Sequence, residues 1–359
     1  MVSVTATIKD IAREAKVSYA TVSRALNNKY GVHPSTQERI LAVAKRLNYR
    51  PNAIARGLVT RQTYTIGLIL PDITNPFFPE VARGVEEGAQ EQGYSVFLCN
   101  TNWERQREAQ YIRLLTERRV DGIVLAPISN SAAEVEQELA PDMSVVYVSN
   151  VPRNTHRSYV EIDNIRGGFL ATKHLIDAGF RTIGFVGAVE GSLTVDERLE
   201  GFRMAFDRSG LKVDEHFVHL GHFRQETGYR IVRDMIEKGD YPRAIFAEND
   251  LIALGVMQGV RDSGLRVPAD IAVVGFDDIP FASFREVQLS TVYQPKYEMG
   301  KLGAQILIDL IAKSSASEAH SRRVILEPEL IVRGSTVGPQ EGRDDAALSA
   351  LETQAGSHA

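Results

Sequence analysis

Thr-Ile-Lys-Asp-Ile-Ala-Arg-Glu-Ala-Lys-Val-Ser-Tyr-Ala-Thr-Val-Ser-Arg-Ala-Leu-Asn, residues 7–27, encodes two short helices in succession. Thr7 followed by Asp10 is an N-cap with an acid three residues on, and Ile8, Ile11, Ala12 and Ala15 then fall at helical spacing. Lys16 and Val17 leave a tight connection. Ser18 caps the second helix, Tyr19–Leu26, from which Ala20 or Val22, with Leu26, can face the first. The run from Asn27 to Gly31 breaks it. A third helix is expected from Ser35, with Glu38 completing a capping box and Ile40, Leu41, Ala44 and Leu47 as its apolar stripe. Three such helices are the arrangement of a helix-turn-helix DNA-binding unit.

The second helix is the candidate reader. Arg24 can reach guanine O6 and N7 with its fork, and Ala20 can touch a thymine methyl. Ser18, Thr21 and Ser23 suit phosphate oxygens, which set position but not sequence. The plainer alternative is a small amphipathic helix with an exposed arginine. Beyond it, Pro51 and Asn52 are helix-start signals. Ala55, Arg56 and Leu58 then offer a small residue, a cation and an apolar tip, the types that enter a minor groove and wedge a base step open. The alternative there is a plain linker.

Charge supports the division. Residues 1–62 hold 11 Lys+Arg against 3 Asp+Glu, net +8, whereas residues 63–359 hold 30 against 43, net −13. A basic module that meets a polyanion is thus followed by a larger acidic body. Across all 359 residues, 43% hydrophobic and 24% charged residues exclude a disordered, collagen-like or disulfide-stapled chain. A single cysteine, Cys99, excludes an intramolecular disulfide and fits a reducing compartment. No apolar run reaches the ~18 to 20 residues that span a bilayer, and Met1–Asp10 lacks a secretory h-region, so a cytoplasmic location is expected.

From Tyr64 the pattern becomes β-α alternation. Strand-like runs lie at 64–70, 94–99, 120–126, 144–148, 181–187, 243–247 and 271–275, with helical stretches between them. Strands buried on both faces and alternating with helices indicate parallel Rossmann-like sheets, and the length of the body suits two lobes. Ligands of such sheets sit at the carboxyl ends of the strands. Those ends carry Asp72, Asn75, Phe77 and Phe78; Ser129 and Asn130; Asp163 and Asn164; Thr194 and Arg198; Phe223; Asn249; Asp277 and Asp278; and Gln294. Carboxylates, amides and an arginine around aromatic faces can bind a polyhydroxylated ring. Taken singly, each is also an ordinary turn former, helix cap or core aromatic.

Three short segments of the head, 7–15, 17–27 and Asn-Tyr-Arg-Pro-Asn-Ala-Ile-Ala-Arg-Gly-Leu at 48–58, resemble the LacI/GalR family of bacterial transcription regulators. The resemblance continues to about Thr336 through Ile-Gly-Leu-Ile-Leu-Pro-Asp-Ile-Thr-Asn-Pro-Phe-Phe (66–78), Arg-Val-Asp-Gly-Ile-Val-Leu (119–125), Glu-Arg-Leu-Glu-Gly-Phe (197–202), Asn-Asp-Leu-Ile-Ala-Leu-Gly (249–255) and Val-Gly-Phe-Asp-Asp-Ile (274–279). It implies a body akin to periplasmic sugar-binding proteins, with an effector between two lobes and a dimer formed through that body. It also implies that Tyr19, Ala20 and Arg24 read the major groove, and that 51–59 is a hinge helix with Leu58 as its wedge. Glu248 stands where the family more often has Ala.

The expected organisation is therefore a helix-turn-helix domain at 1–49, a hinge helix and linker at 50–62, and an effector-binding and dimerisation domain at 63–336. Its lobes exchange chain near 161–163, 291–294 and 320–324, and a disordered tail follows at 337–359. Candidate DNA contacts are Thr7, Ser18, Tyr19, Ala20, Thr21, Ser23, Arg24, Asn27, Tyr49, Asn52, Ala55 and Leu58. Candidate effector contacts are Asp72, Asn75, Phe77, Phe78, Asp163, Thr194, Arg198, Phe223, Asn249, Asp277 and Gln294. The expected partners are a palindromic double-stranded operator, a sugar or sugar derivative and a second copy of the chain, without a membrane.

The expected function is a repressor of carbohydrate-metabolism genes. A sugar-binding module for transport, cytosolic or exported, is the alternative. An enzyme is not expected, because P-loop, Gly-x-Gly-x-x-Gly after a strand, Gly-x-Ser-x-Gly and His-Glu-x-x-His motifs are all missing. No cofactor is expected. His216, His219 and His222 are spaced by three, which on a strand would alternate faces and so argues against a shared metal. His222, beside Phe223, could touch the effector, and Trp103 could flank the mouth of the pocket, though a surface loop is its expected position.

Overall fold

The computed structural model describes residues 6–26, 30–49, 62–188, 192–313 and 321–337. The chain divides into two compact units, Met1–Thr63 and Tyr64–Ala359.

In the first unit, α1 (Ile8–Glu14), α2 (Tyr19–Leu26) and α3 (Pro34–Arg46) close over Ile11, Ala15, Val22, Ala25, Ile40, Val43 and Ala44. The Thr7–Asp10 box forms in both directions: Asp10 N donates to Thr7 Oγ1 at 3.4 Å and Thr7 N to Asp10 Oδ2 at 2.9 Å. Lys16 makes the tight connection in the left-handed region, φ 50°. Ser18 Oγ then accepts from Thr21 N at 3.1 Å, which starts α2. Two expectations for α3 fail. The helix begins one residue early, at Pro34, whose missing N–H costs nothing at a helix start, and His33 stands at the N-cap without a side-chain bond. The Ser35–Glu38 box is thereby displaced, and Ser35 Oγ pairs with His33 Nδ1 instead. Leu41 is 46% exposed, and Val43 fills the core in its place.

The second unit contains two six-stranded sheets. The first lobe runs β1 (Thr65–Leu70), α4 (Phe77–Gln90), β2 (Ser95–Asn100), α5 (Arg105–Glu117), β3 (Gly122–Leu125), α6 (Ala132–Glu138), β4 (Ser144–Val148) and β5 (Ser158–Ile162). The second runs α7 (Asn164–Asp177), β6 (Ile183–Gly187), α8 (Leu193–Arg208), β7 (Val218–Leu220), α9 (Gln225–Glu237), β8 (Ala244–Ala247), α10 (Asp250–Asp262), β9 (Ala272–Asp277) and β10 (Ser290–Tyr293). The chain then returns through α11 (Lys296–Lys313) and β11 (Arg323–Leu326) to the first sheet, and ends with β12 (Glu329–Ile331) in the second. Strand order is β11-β5-β4-β3-β1-β2, all parallel, and β12-β10-β9-β8-β6-β7, parallel except for β12 against β10.

The lobes therefore exchange chain three times. The first two passages follow β5 and β10. The third lies at Glu327 and Pro328, beyond the expected 320–324, because residues 323–326 still pair with β5.

Helix pairs cross at reciprocal glycines. A Cβ on Gly201 would sit 2.0 Å from Ile165 O, and one on Gly168 would sit 2.2 Å from Arg198 O, so α7 and α8 approach backbone to backbone. This contact fixes the height of Arg198 above the sheet. The pairs α4/α11 and α9/α10 use Gly84 with Gly300 and Gly228 with Gly255 in the same way. Among the described residues no helix is long and apolar enough to cross a membrane.

Candidate functional site

A cavity of about 990 Å³ opens between the lobes at the carboxyl ends of both sheets. Nine of the eleven expected effector residues line it: Asn75, Phe77, Phe78, Thr194, Arg198, Phe223, Asn249, Asp277 and Gln294. Asp72 and Asp163 do not, because local backbone takes their carboxylates. Asp72 Oδ1 accepts from Thr74 N at 2.9 Å and Thr74 Oγ1 at 2.7 Å, while Asp163 Oδ1 caps α7 through Arg166 N at 2.8 Å. Ser129 and Asn130, after β3, are also replaced at the wall, by Pro127 and Ile128.

The second lobe supplies the charged wall. Arg198 is buried, with Nε donating to Asn164 Oδ1 at 3.0 Å and Nη1 to the Glu248 carbonyl at 2.6 Å and carboxylate at 3.1 Å. Its guanidinium carbon lies 3.7 Å from the centroid of the Phe276 ring, which fixes the plane of the fork. Both ends of Asn249 are bonded: its Oδ1 caps α10 through Ile252 N at 2.8 Å and its Nδ2 donates to Glu248 Oε1 at 2.8 Å. At the end of β9 the backbone turns through positive φ at Asp277 (115°) and Asp278 (51°). Lys296 holds this turn by donating its ammonium to the carbonyls of both residues, the one on Asp278 at 3.0 Å. Asp277 Oδ1 in turn accepts from Gln294 Nε2 at 2.7 Å.

Burial dominates the titration of this wall. It pushes Glu248 up to about 7, with Asp277 adding repulsion and Arg198 opposing. It raises Asp277 to about 6 against the pull of Arg198 and Lys296. Asp250, beneath the wall and bonded to Thr291 Oγ1 (2.6 Å) and Ile279 N (2.8 Å), is raised by burial and then by Asp277. The Lys296 ammonium is pushed down by the same desolvation.

The first lobe supplies the aromatic wall. Phe77 and Phe78 meet edge to face with centroids 5.0 Å apart. Trp103, expected on a surface loop, instead lines the cavity and stacks on Phe223 of the other lobe, centroids 4.1 Å apart and planes 6° from parallel. The rule that pointed to the other strand ends applies to it as well, since it follows β2 by three residues. Its turn through Asn102 and Trp103, φ 54° and 61°, is unusual for these residues and aims the ring inward. Glu248, Asn150, Ser192, His222 and Arg224 are further wall residues outside the expected set.

The three histidines do not lie along one strand. His216 is in a 3-10 turn and pairs with Asp240 at 2.9 Å, whereas His219 is on β7 and His222 reaches the cavity wall.

In the first unit, Thr7, Ser18, Tyr19, Ala20 and Arg24 are exposed, and Thr21, Ser23 and Tyr49 are half-buried. Val22 and Ala25 take the opposite, buried face of α2, so Ser18, Tyr19, Ala20 and Arg24 are left on its outer side. Asn27, Asn52, Ala55 and Leu58, the hinge helix at 51–59 and the tail beyond residue 337 lie outside the described residues.

Helix-turn-helix unit and two-lobed cavity together define a ligand-responsive DNA-binding regulator. Residues 7–52 match the family model of bacterial regulatory proteins of the lacI family, and residues 63–333 match that of periplasmic binding proteins and the sugar-binding domain of the LacI family. The ribose operon repressor of Escherichia coli K12 is 37% identical over 332 residues, 92% of this chain and 99% of that one. A transcriptional regulator CelR–cellobiose complex is 32% identical with a TM-score of 0.68, over 92% and 99% of the two chains. The lac repressor dimer bound to operator and the anti-inducer ONPF gives a TM-score of 0.81 at 26% identity, over 93% and 99%. The chain belongs to the LacI family of bacterial regulatory proteins. It is a DNA-binding transcription regulator carrying an effector domain.

Proposed function

We propose that this regulator represses carbohydrate-metabolism genes as a cytoplasmic homodimer on a palindromic operator, and that a sugar or sugar derivative in the cleft controls its grip on DNA. The observation that carries the reading is the cavity of about 990 Å³ walled by both lobes, lined by aromatic rings together with carboxylates, amides and Arg198. Such a wall bonds hydroxyls and covers C–H faces. The ligand bridges two bodies, so it binds one arrangement of the lobes better than another. Operator affinity then changes by that difference in affinity and by no more.

Ser18, Tyr19, Ala20, Thr21, Ser23 and Arg24 present the DNA-facing side of α2, with Thr7 and Tyr49 flanking it. Pairing of two copies is supported by apolar surface on the first lobe: Phe97 and Leu98 on the edge strand β2, and Leu114 on α5, are all exposed. The relatives named for ribose, cellobiose and the lac operator fit the sugar reading. Binding is proposed to proceed without turnover, in keeping with relatives that are named as regulators and repressors.

The test is operator affinity of the full chain with and without each sugar of a panel. A sugar that binds the cleft and shifts operator affinity tenfold or more, in either direction, is the expected result. One that binds tightly and leaves operator affinity unchanged sinks the switch.

A further inference from the structure

The charged wall of the cleft does not balance. Glu248, Asp250 and Asp277 are three carboxylates at 1%, 0% and 4% exposure, and the buried cations set among them are two, Arg198 and Lys296. Lys296 is turned to the main-chain carbonyls of Asp277, Asp278 and Gln294. Arg198 gives Nη1 to Glu248 and Nε to Asn164. The remaining cations of the wall, Arg105, Arg224 and Arg230, are exposed and therefore screened by solvent.

Of the three acids, Asp250 is closed off by Thr291 and Ile279, while Glu248 and Asp277 reach the cavity. Each oxygen of Glu248 takes one donor and keeps a lone pair. Asp277 Oδ2 has no hydrogen-bond partner among the described residues. A buried carboxylate in surplus must hold a proton or find a cation. The wall thus has a place for one positive charge.

We propose that Glu248, with Asp277, makes the inner cleft select an amine-bearing sugar over its neutral parent and reject the matching sugar acid. The inference rests on the cleft being the effector site. The ammonium replaces the proton that a surplus carboxylate would otherwise hold, and donates to the free lone pairs of Glu248 and Asp277. A ligand carboxylate there would meet two acids, with Arg198 Nε and Nη1 already bonded to Asn164 and Glu248, and is disfavoured by repulsion. Glu248 is thus the specificity-determining residue, because without its carboxylate the buried acids of the wall no longer outnumber Arg198 and Lys296.

The test is isothermal titration of the full chain at pH 7 with three matched sets: D-glucose, D-galactose and D-mannose, each with its 2-amino-2-deoxy sugar and its uronic acid. At least one amino sugar is expected to bind tenfold or more tighter than its parent, and its acid not at all. In Glu248→Gln the preference for the amine falls to threefold or less. A second readout needs no variant: titration heats of the amino sugar change with the ionisation enthalpy of the buffer, because binding releases the proton of the surplus carboxylate, and those of the parent do not. Amino sugars no tighter than their parents in every set, or a preference that survives Glu248→Gln with the fold intact by circular dichroism, overturn the proposal. If a neutral or acidic member binds instead and loses affinity in Asp277→Asn, the cleft reading stands and the amine selection falls. If none of the nine compounds binds, the amine selection falls, and the cleft reading falls with it only if none of the wider sugar panel moves operator affinity.

Discussion

Arg198 Nη1 donates to both the carbonyl (2.6 Å) and the carboxylate (3.1 Å) of Glu248, so one residue grips the other by main chain and side chain at once. The pair ties α8 to the end of β8, and Asn249 extends the tie to the first turn of α10. Removing the cation of a buried pair leaves the carboxylate uncompensated, which costs about 3–5 kcal/mol. Arg198→Ala is therefore expected to lose several kcal/mol in urea denaturation. The double variant with Glu248→Ala should lose clearly less than the sum of the two single losses. Strict additivity would show that the two side chains do not support each other.

The buried acids should make stability fall as pH rises from about 4.5 to 7, against an opposite slope from His174 and His219, whose charged forms burial disfavours. Glu108 sits under the cleft, accepts a bond from Ile128 N at 2.8 Å, and is raised by burial from 4.5 to about 7. In that interval the unfolded chain has already released the proton and the folded chain still holds it, so the folded state binds more protons and each step up in pH weakens it. Glu161 and Glu248, both raised to about 7, add slope of the same sign. For Glu108 alone the loss amounts to about 3 kcal/mol between pH 4.5 and 7. Urea midpoints measured from pH 5 to 8 should show a shallower decline in Glu108→Gln, and parallel curves would contradict this account.

Gly201→Ala places a methyl group 2.0 Å from the carbonyl oxygen of Ile165. The partner is backbone and cannot rotate away, so α7 and α8 must separate, at about 1–3 kcal/mol or more. Because Arg198 lies one turn before Gly201 on the same helix, cleft affinity should drop along with the thermal midpoint. A variant as stable as the parent would mean that the helix crossing is softer than drawn.

Arg24→Ala removes an exposed fork that has no partner among the described residues of α2. A lost bidentate base contact weakens specific binding by about 1–3 kcal/mol. Gel-shift competition should show the specific complex falling tenfold or more and the non-specific complex changing far less. Equal losses would assign Arg24 to phosphate.

What was readable from sequence was what is decided within a few residues. Thr7 and Asp10, or Ser18 and Thr21, meet across one helical turn, so their residue types alone predict their bonds. Asn75, Arg198, Asp277 and Gln294 converge because each follows a parallel strand, and strand ends of one sheet share one side. Asp72 and Asp163 follow the same rule and fail it, since a nearer N–H in each case captures the carboxylate first. Leu41 and Val43 exchange places because the buried face follows the i, i+3, i+4 spacing from Ile40 to Val43 and Ala44, which leaves Leu41 to one side. Trp103 depends on two consecutive left-handed residues, which no propensity announces. Charge balance was legible only as a sum. The surplus of acid that defines the body appears again, concentrated, in the wall around Glu248.

The chain holds one tryptophan. That residue, Trp103, comes from the first lobe and lies face to face with Phe223 of the second. Every photon the protein emits on excitation at the red edge of its absorbance thus originates at the seam between the lobes. Any change in lobe spacing alters the solvent around that indole, and with it the wavelength and lifetime of the emission. The molecule carries its own optical gauge, and the motion of the cleft can be timed in a stopped-flow fluorimeter without attaching a dye.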